Sequence, residues 1–278
     1  MMNFVSEFAK YAASHGFNLI RVAEMNDGKI DSLAVGYQNP CQDLYSISKA
    51  FTVTAIGLLY DRGLVKPSDK AADILGIKDA ADERFFDVTV DHLLTHRAGF
   101  SEGELDIDCM DASLFPRDYL TYLTEKPLVY EPGTEDRYSD AAFYVLSRIA
   151  TKVSGEKIDD LLWREILFPL GFREFAWSRC PHGFPMGATG IYTRAEDAVK
   201  LADLYVRSGG GMLSKEWCSL VLSKPYEFHP LGVGNAFGKG GMRGQMLIGI
   251  PEQNRSVCFV GCDDGDVGPL IDFAVRGA

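Results

Sequence analysis

No apolar run in this 278-residue sequence approaches the roughly 20 residues that a membrane-spanning helix needs, so no membrane is expected as a partner. Positive charge is also scarce. With 28 Lys and Arg against 39 Asp and Glu, the net charge is −11. Phosphate binding needs clustered cations, so no nucleic-acid partner is expected either. The six cysteines (Cys41, Cys109, Cys180, Cys218, Cys258, Cys262) are scattered and form no C-x-x-C pair, which argues against a structural zinc site. Met1-Met2-Asn3-Phe4-Val5-Ser6-Glu7 has neither a basic n-region nor an apolar h-region. No signal peptide is therefore expected, and the thiols are expected to be reduced, in a cytoplasm.

Cofactor signals are missing as well. There is no P-loop and no G-x-G-x-x-G after a strand, so nucleotide cofactors are not implied. His92 and His96 stand at i and i+4 without the adjacent Glu of H-E-x-x-H. Asp106-x-Asp108-x-x-Asp111 lacks the central Gly and terminal Glu of a calcium loop, and reads as a solvated face. The expectation is no metal and no other cofactor.

What is present suits a soluble globular enzyme, with 46% hydrophobic and 24% charged residues. Apolar periodicity predicts a helix over 4–13. A strand over 18–25, a turn at Asn26-Asp27-Gly28 and a strand over 29–37 follow. The middle is helical, with a short capped helix in Thr89–Gly99 and further patterns over 116–126, 140–153 and 157–166. Thr193-Arg194-Ala195-Glu196 reads as a capping box that opens a helix through Val206. Strands over 236–240, 244–250 and 256–262 and a helix over 269–275 close the chain. The expected class is α/β (α+β): an antiparallel sheet flanked by the N- and C-terminal helices, with an inserted all-helical lobe. Residues 1–64 and 185–278 would form the α/β lobe and 65–184 the helical lobe, with Ser46 at the seam.

Chemistry enters at Tyr45-Ser46-Ile47-Ser48-Lys49. Val53, Ala55, Ile56, Leu58 and Leu59 recur at helical spacing behind it, which predicts a buried helix with Ser46 in its first turn and Lys49 on the same face. A hydroxyl and an amine at the positive end of a helix dipole are a candidate nucleophile and proton acceptor. The spacing alone is weak, because Ser154-Gly155-Glu156-Lys157 matches it from a polar turn.

Three motifs in order add specificity: Ser46-x-x-Lys49, Tyr138-Ser139-Asp140 and Lys239-Gly240-Gly241. With His92-Leu93-Leu94-Thr95-His96-Arg97-Ala98-Gly99, Glu131-Pro132-Gly133-Thr134 and Phe168-Pro169-Leu170-Gly171-Phe172, the chain resembles the serine β-lactamase and penicillin-binding-protein superfamily. The closest resemblance is to the class C β-lactamase, D-alanyl-D-alanine carboxypeptidase and esterase branch.

That resemblance implies Ser46 as nucleophile, Lys49 and Tyr138 sharing the general-base role, and Lys239 orienting the substrate. The N–H groups of Ser46 and of Met242, next on the strand, would form the oxyanion hole. Gly240 and Gly241 would let a substrate lie close to that strand. Two positions depart from the branch: Asp140 stands where Asn is usual, and Lys239 where His is commoner. A carboxylate beside Lys49 would hold the lysine protonated, unless Asp140 is a helix N-cap or is itself protonated. The implied function is a serine hydrolase acting through an acyl-enzyme on a small ester, amide or lactam, most like an esterase or peptidase. β-Lactamase or D-alanyl-D-alanine carboxypeptidase activity is the alternative. A ligand-binding scaffold with little turnover is the reading from another class.

Overall fold

Asn3 opens the first helix by accepting the Ser6 N–H at 3.2 Å, which satisfies one of the donors a helix start leaves orphaned. The computed structural model describes residues 3–36 and 39–277, so the expected strand end at Tyr37 lies outside the described residues. In chain order the elements begin α1 (Phe4–Ser14), β1 (Leu19–Asn26), β2 (Lys29–Ala34), β3 (Cys41–Asp43), α2 (Ser48–Asp61), α3 (Ala71–Leu75) and α4 (Val90–Leu94). The middle continues with α5 (Tyr119–Thr124), α6 (Asp140–Ser154), α7 (Ile158–Leu162), β4 (Phe175–Trp177), β5 (Ile191–Arg194) and α8 (Ala195–Val206). The chain closes with α9 (Lys215–Ser223), β6 (His229–Pro230), β7 (Phe237–Gly241), β8 (Gln245–Ile250), β9 (Arg255–Gly261) and α10 (Gly268–Arg276).

The chain divides into two compact units. One holds the described residues of Met1–Ile47, Leu167–Ala176 and Ile191–Ala278; the other holds Ser48–Ile166 and Trp177–Gly190. The first unit is built on a six-stranded antiparallel sheet of order β2-β1-β9-β8-β7-β6. All seven residues of β9 are buried, because both faces of the sheet are covered. Val257 and Phe259 point into a core with Val5 and Phe8 of α1 and Leu270 and Ala274 of α10. The alternate residue Ser256 faces α8, donating to the Val199 carbonyl at 3.2 Å. Phe8 sits at the centre of the core, with its ring centroid 5.2 Å from that of Phe259 and 5.8 Å from that of Phe273. The expected antiparallel sheet packed by the first and last helices is therefore what forms, with both helices on one face and α8 on the other.

Two local expectations are corrected. Thr193–Glu196 is not a capping box: Arg194 is the N-cap of α8 and makes no side-chain cap bond. The Thr193 hydroxyl instead donates to the Glu174 carbonyl at 2.6 Å, and Glu196 pairs with Arg21 of β1. Tertiary partners outcompete the local cap. Helix α9, capped by Ser214 accepting the Trp217 N–H at 3.0 Å, has no counterpart in the predicted elements, nor has the small sheet β3-β5-β4. Strands of three or four residues are too short to show a period.

In the second unit α2 is buried all round from Ser48 to Leu59, with α6 and α7 packed against it. Thr89 caps α4 and the His92 ring accepts the Thr89 N–H, so that histidine completes a capping box. Ser154 is the last residue of α6, followed by Gly155 in the left-handed conformation, so the second S-x-x-K match is a helix C-terminus. Gly187 must be a glycine, since a Cβ there would lie 2.2 Å from the Phe143 carbonyl oxygen of α6. That close approach brings the 187–189 backbone onto α2. No described helix is long and apolar enough to cross a membrane.

Candidate active site

Ser46 does not sit in the first turn of α2 as expected. It lies in a single 3-10 turn, Tyr45–Ile47, immediately before the helix. Tyr45 has a φ of 47°, a left-handed conformation that costs a non-glycine residue about 1 kcal/mol or more. The Asp43 carboxylate offsets this by accepting the Tyr45 N–H at 2.8 Å. Burial pushes the Asp43 carboxyl above its ordinary range, against the pull of hydrogen bonds from Tyr45 and Tyr192. Sequence reasoning missed Asp43 because no motif contains it. Its signal is local, a carboxylate two residues ahead of the turn it closes.

Strand β7 ends against this turn. A Cβ at Gly241 would lie 2.3 Å from the Leu44 carbonyl oxygen, so here the protein's own chain, not a substrate, requires the glycine. Gly240 is exposed and open, the nearest atom to an added Cβ being the Met246 sulfur at 3.7 Å. Strand β6 stops opposite Gly238, and no other described strand covers that edge of Lys239–Gly241. Gly240→Ala should stay within about 1 kcal/mol of wild-type stability, while Gly241→Ala, which must push the strand off the turn, should be clearly destabilised in urea denaturation. The reverse order would refute this packing argument. Activity lost in a stable Gly240→Ala protein would report a substrate on the strand.

Met242 lies just past the strand rather than on it. It opens a turn, Met242–Gly244, in which Arg243 has a φ of 58°. Lys239 is only 5% exposed and its ammonium forms an ion pair with Glu227, itself 2% exposed. Glu227 stands in no motif, and sequence reading did not find it.

The second unit holds the other candidates. Lys49, fully buried, donates to Asp140 Oδ1 at 2.7 Å and to the Ala188 carbonyl at 3.2 Å. Its ammonium lies 4.5 Å from the centroid of the Tyr138 ring, against the aromatic face. Asp140 is the first residue of α6, not its cap: Ser139 is the N-cap, and the Asp140 side chain is spent on Lys49. Burial pushes the Asp140 carboxyl up, with Lys49 pulling the other way. His96 Nδ1 accepts the Ser139 N–H at 3.2 Å and its ring packs 4.5 Å from Tyr138, so it braces this segment.

The acidic run is more than a solvated face. Asp106, Asp108 and Asp140 bring carboxylate oxygens within 4.8 Å of one another, and Asp108 accepts a hydrogen bond from the Thr189 hydroxyl. Of the three, Asp140 is the one paired with Lys49. Gly99-Phe100-Ser101-Glu102-Gly103 matches the Gly-x-Ser-x-Gly spacing of a nucleophile elbow, and the structure rejects it. Ser101 follows a helix and loop rather than a strand, and its hydroxyl donates to Glu104 at 2.6 Å.

Comparison with known proteins bears on the fold and the family. The chain is 26% identical over 130 residues to penicillin-binding protein 4 of Amycolatopsis lactamdurans, covering 46% of this chain and 34% of that one. Its matches span 34–39% of the length of such curated relatives. Among solved structures, EstCE1, a hydrolase with promiscuous acyltransferase activity, superposes with a TM-score of 0.75 at 17% identity, over 96% of this chain and 95% of its own. A penicillin-binding protein from Bacillus halodurans gives 0.74 at 17% identity, over 99% of both chains. At such identities these likenesses show the shared fold. The family model described as Beta-lactamase matches residues 13–246, and the chain belongs to the Beta-lactamase family.

Proposed function

We propose that the chain is a serine hydrolase of the class C β-lactamase, carboxypeptidase and esterase branch, acting on a small ester or amide. The observation that carries this reading is the abutment of β7 on the Tyr45–Ile47 turn, Gly241 against Leu44. It brings the backbone of a candidate nucleophile and that of an uncovered strand edge into one unit.

In this reading Lys49 first leaves a proton on Asp140; Ser46 Oγ then attacks the acyl carbon while its proton passes to the neutral Lys49 amine and Tyr138 and on to the leaving group. Water hydrolyses the resulting acyl-enzyme by the reverse relay. The Ser46 and Met242 N–H groups receive the oxyanion. Lactams are the second substrate class, favoured by the penicillin-binding relative.

The test is labelling with a fluorophosphonate probe, a fluorescent penicillin and nitrocefin, followed by mass-spectrometric mapping. An adduct on Ser46 that disappears in Ser46→Ala is the expected result. Absence of labelling by every probe at neutral and alkaline pH would favour a binding scaffold.

A further inference from the structure

Lys239 is not an open cation. Both it and Glu227 are buried, and they pair beneath the end of β7 that the proposed function assigns to the substrate. The carboxylate is held there from both sides. Tyr226 and Phe228, its neighbours, are fully buried, with Tyr226 packed on Trp217, and Phe228 on Tyr205 and edge-on to Phe237 of β7. Between these anchors Glu227 takes a φ of 66°, a conformation that L-residues avoid unless their surroundings hold them in it. The pairing of His229 with Gly238 then fixes the segment beside Lys239.

An ammonium already matched by a buried carboxylate offers little further attraction to an anion. Arg243, an exposed cation at this end of β7, lies beside Cys262 and Asp264, which favour its charged form. The motif lysine therefore adds no net positive charge to the strand edge.

We propose that Glu227 positions Lys239 and cancels its charge, so that the site selects uncharged acyl donors over those carrying a carboxylate. This rests on the serine-hydrolase reading above. Glu227 acts through Lys239 and is a positioning residue, not a catalytic one.

The test compares kcat/KM for p-nitrophenyl hexanoate and for the p-nitrophenyl half-ester of adipic acid, donors that differ by a terminal carboxylate. Wild type should prefer the hexanoate. Glu227→Gln, which keeps the shape and removes the charge, should move the ratio about tenfold towards the half-ester. In a Lys239→Met background the buried Glu227 carboxylate, left without its cation, is neutralised by a proton, so the same substitution should move the ratio less than about twofold. Should Glu227→Gln fail to fold, the paired variant Glu227→Met with Lys239→Met exchanges the ion pair for apolar residues of similar volume. Its ratio should match wild type, because neither arrangement carries net charge.

An unmoved ratio in folded Glu227→Gln, an equal shift without Lys239, or a shifted ratio in the paired variant would each overturn the charge assignment. Labelling of Ser46 separates the two levels. Unlabelled, inactive wild type removes the hydrolase reading and this one with it, whereas labelled protein with an unmoved ratio removes only the role of Glu227.

Discussion

Lys49→Met is expected to lower ester turnover by about 10²–10⁴-fold, the range that loss of a positioned general base produces. The same change removes the cation bound to Asp140 at 2.7 Å in a site where the two side chains are 0% and 5% exposed. Breaking a buried pair from one side costs about 3–5 kcal/mol near neutral pH, because a charge is left without a partner. The remaining carboxyl has an escape. Burial already pushes Asp140 up, so without Lys49 it takes a proton more readily in the folded chain than in the unfolded one. Between the unfolded value of about 3.9 and that raised folded value, the folded state binds more protons. The variant's stability should accordingly rise as pH falls through that window, recovering part of the loss. Urea denaturation at several pH values, beside ester kinetics, measures both effects. Wild-type turnover in Lys49→Met would remove the lysine from the mechanism.

Asp140→Asn approaches the same pair from the other end and should behave differently. The amide oxygen can still accept a hydrogen bond from Lys49, so the folding loss should be nearer 2 kcal/mol, the scale of a hydrogen bond to a charged group. Activity should be kept or raised. A carboxylate beside an ammonium favours the ion pair, and an ammonium cannot accept the serine proton. Asn is also the residue usual at this position in the branch the sequence resembles. The paired variant Lys49→Met with Asp140→Leu should recover much of the stability while staying inactive, since a buried ion pair exchanged for apolar residues is often neutral in folding. A hundredfold fall in kcat for folded Asp140→Asn would show that the acid itself is needed, with Asp106 and Asp108 nearby as the other carboxylates it could share a proton with.

Much of the fold was legible because its signals are local and repeated. The hairpin signal between β1 and β2, the continuous apolar runs of β8 and β9 and the apolar stripes of α1 and α6 each extend over enough residues to be read. The elements that escaped were short, as in β3, β4 and β5, or had their local signal overruled, as at Thr193 and Glu196, where a backbone carbonyl and Arg21 took the side chains a cap would have used.

The candidate site divides along the same line. Ser46, Lys49, Tyr138, Asp140 and Lys239 could be named from order and spacing, because acyl transfer needs those residue types and the family writes them in recognisable phrases. Asp43, Glu227 and Thr189 could not. Asp43 carries no motif, Glu227 lies 12 residues from Lys239, and Thr189 lies 81 residues from the Asp108 carboxylate it meets.

By itself, then, the sequence determined the class of fold, the S-x-x-K serine and the departure at Asp140, all properties of chemistry and local period. Only the tertiary structure decided what each motif lysine is worth. Lys49 and Lys239 are the same residue type; the motif order anticipates a carboxylate beside the first, and no spacing rule predicts the buried one that meets the second. The charge a lysine presents depends on which groups share its burial, and burial is a property of the folded whole.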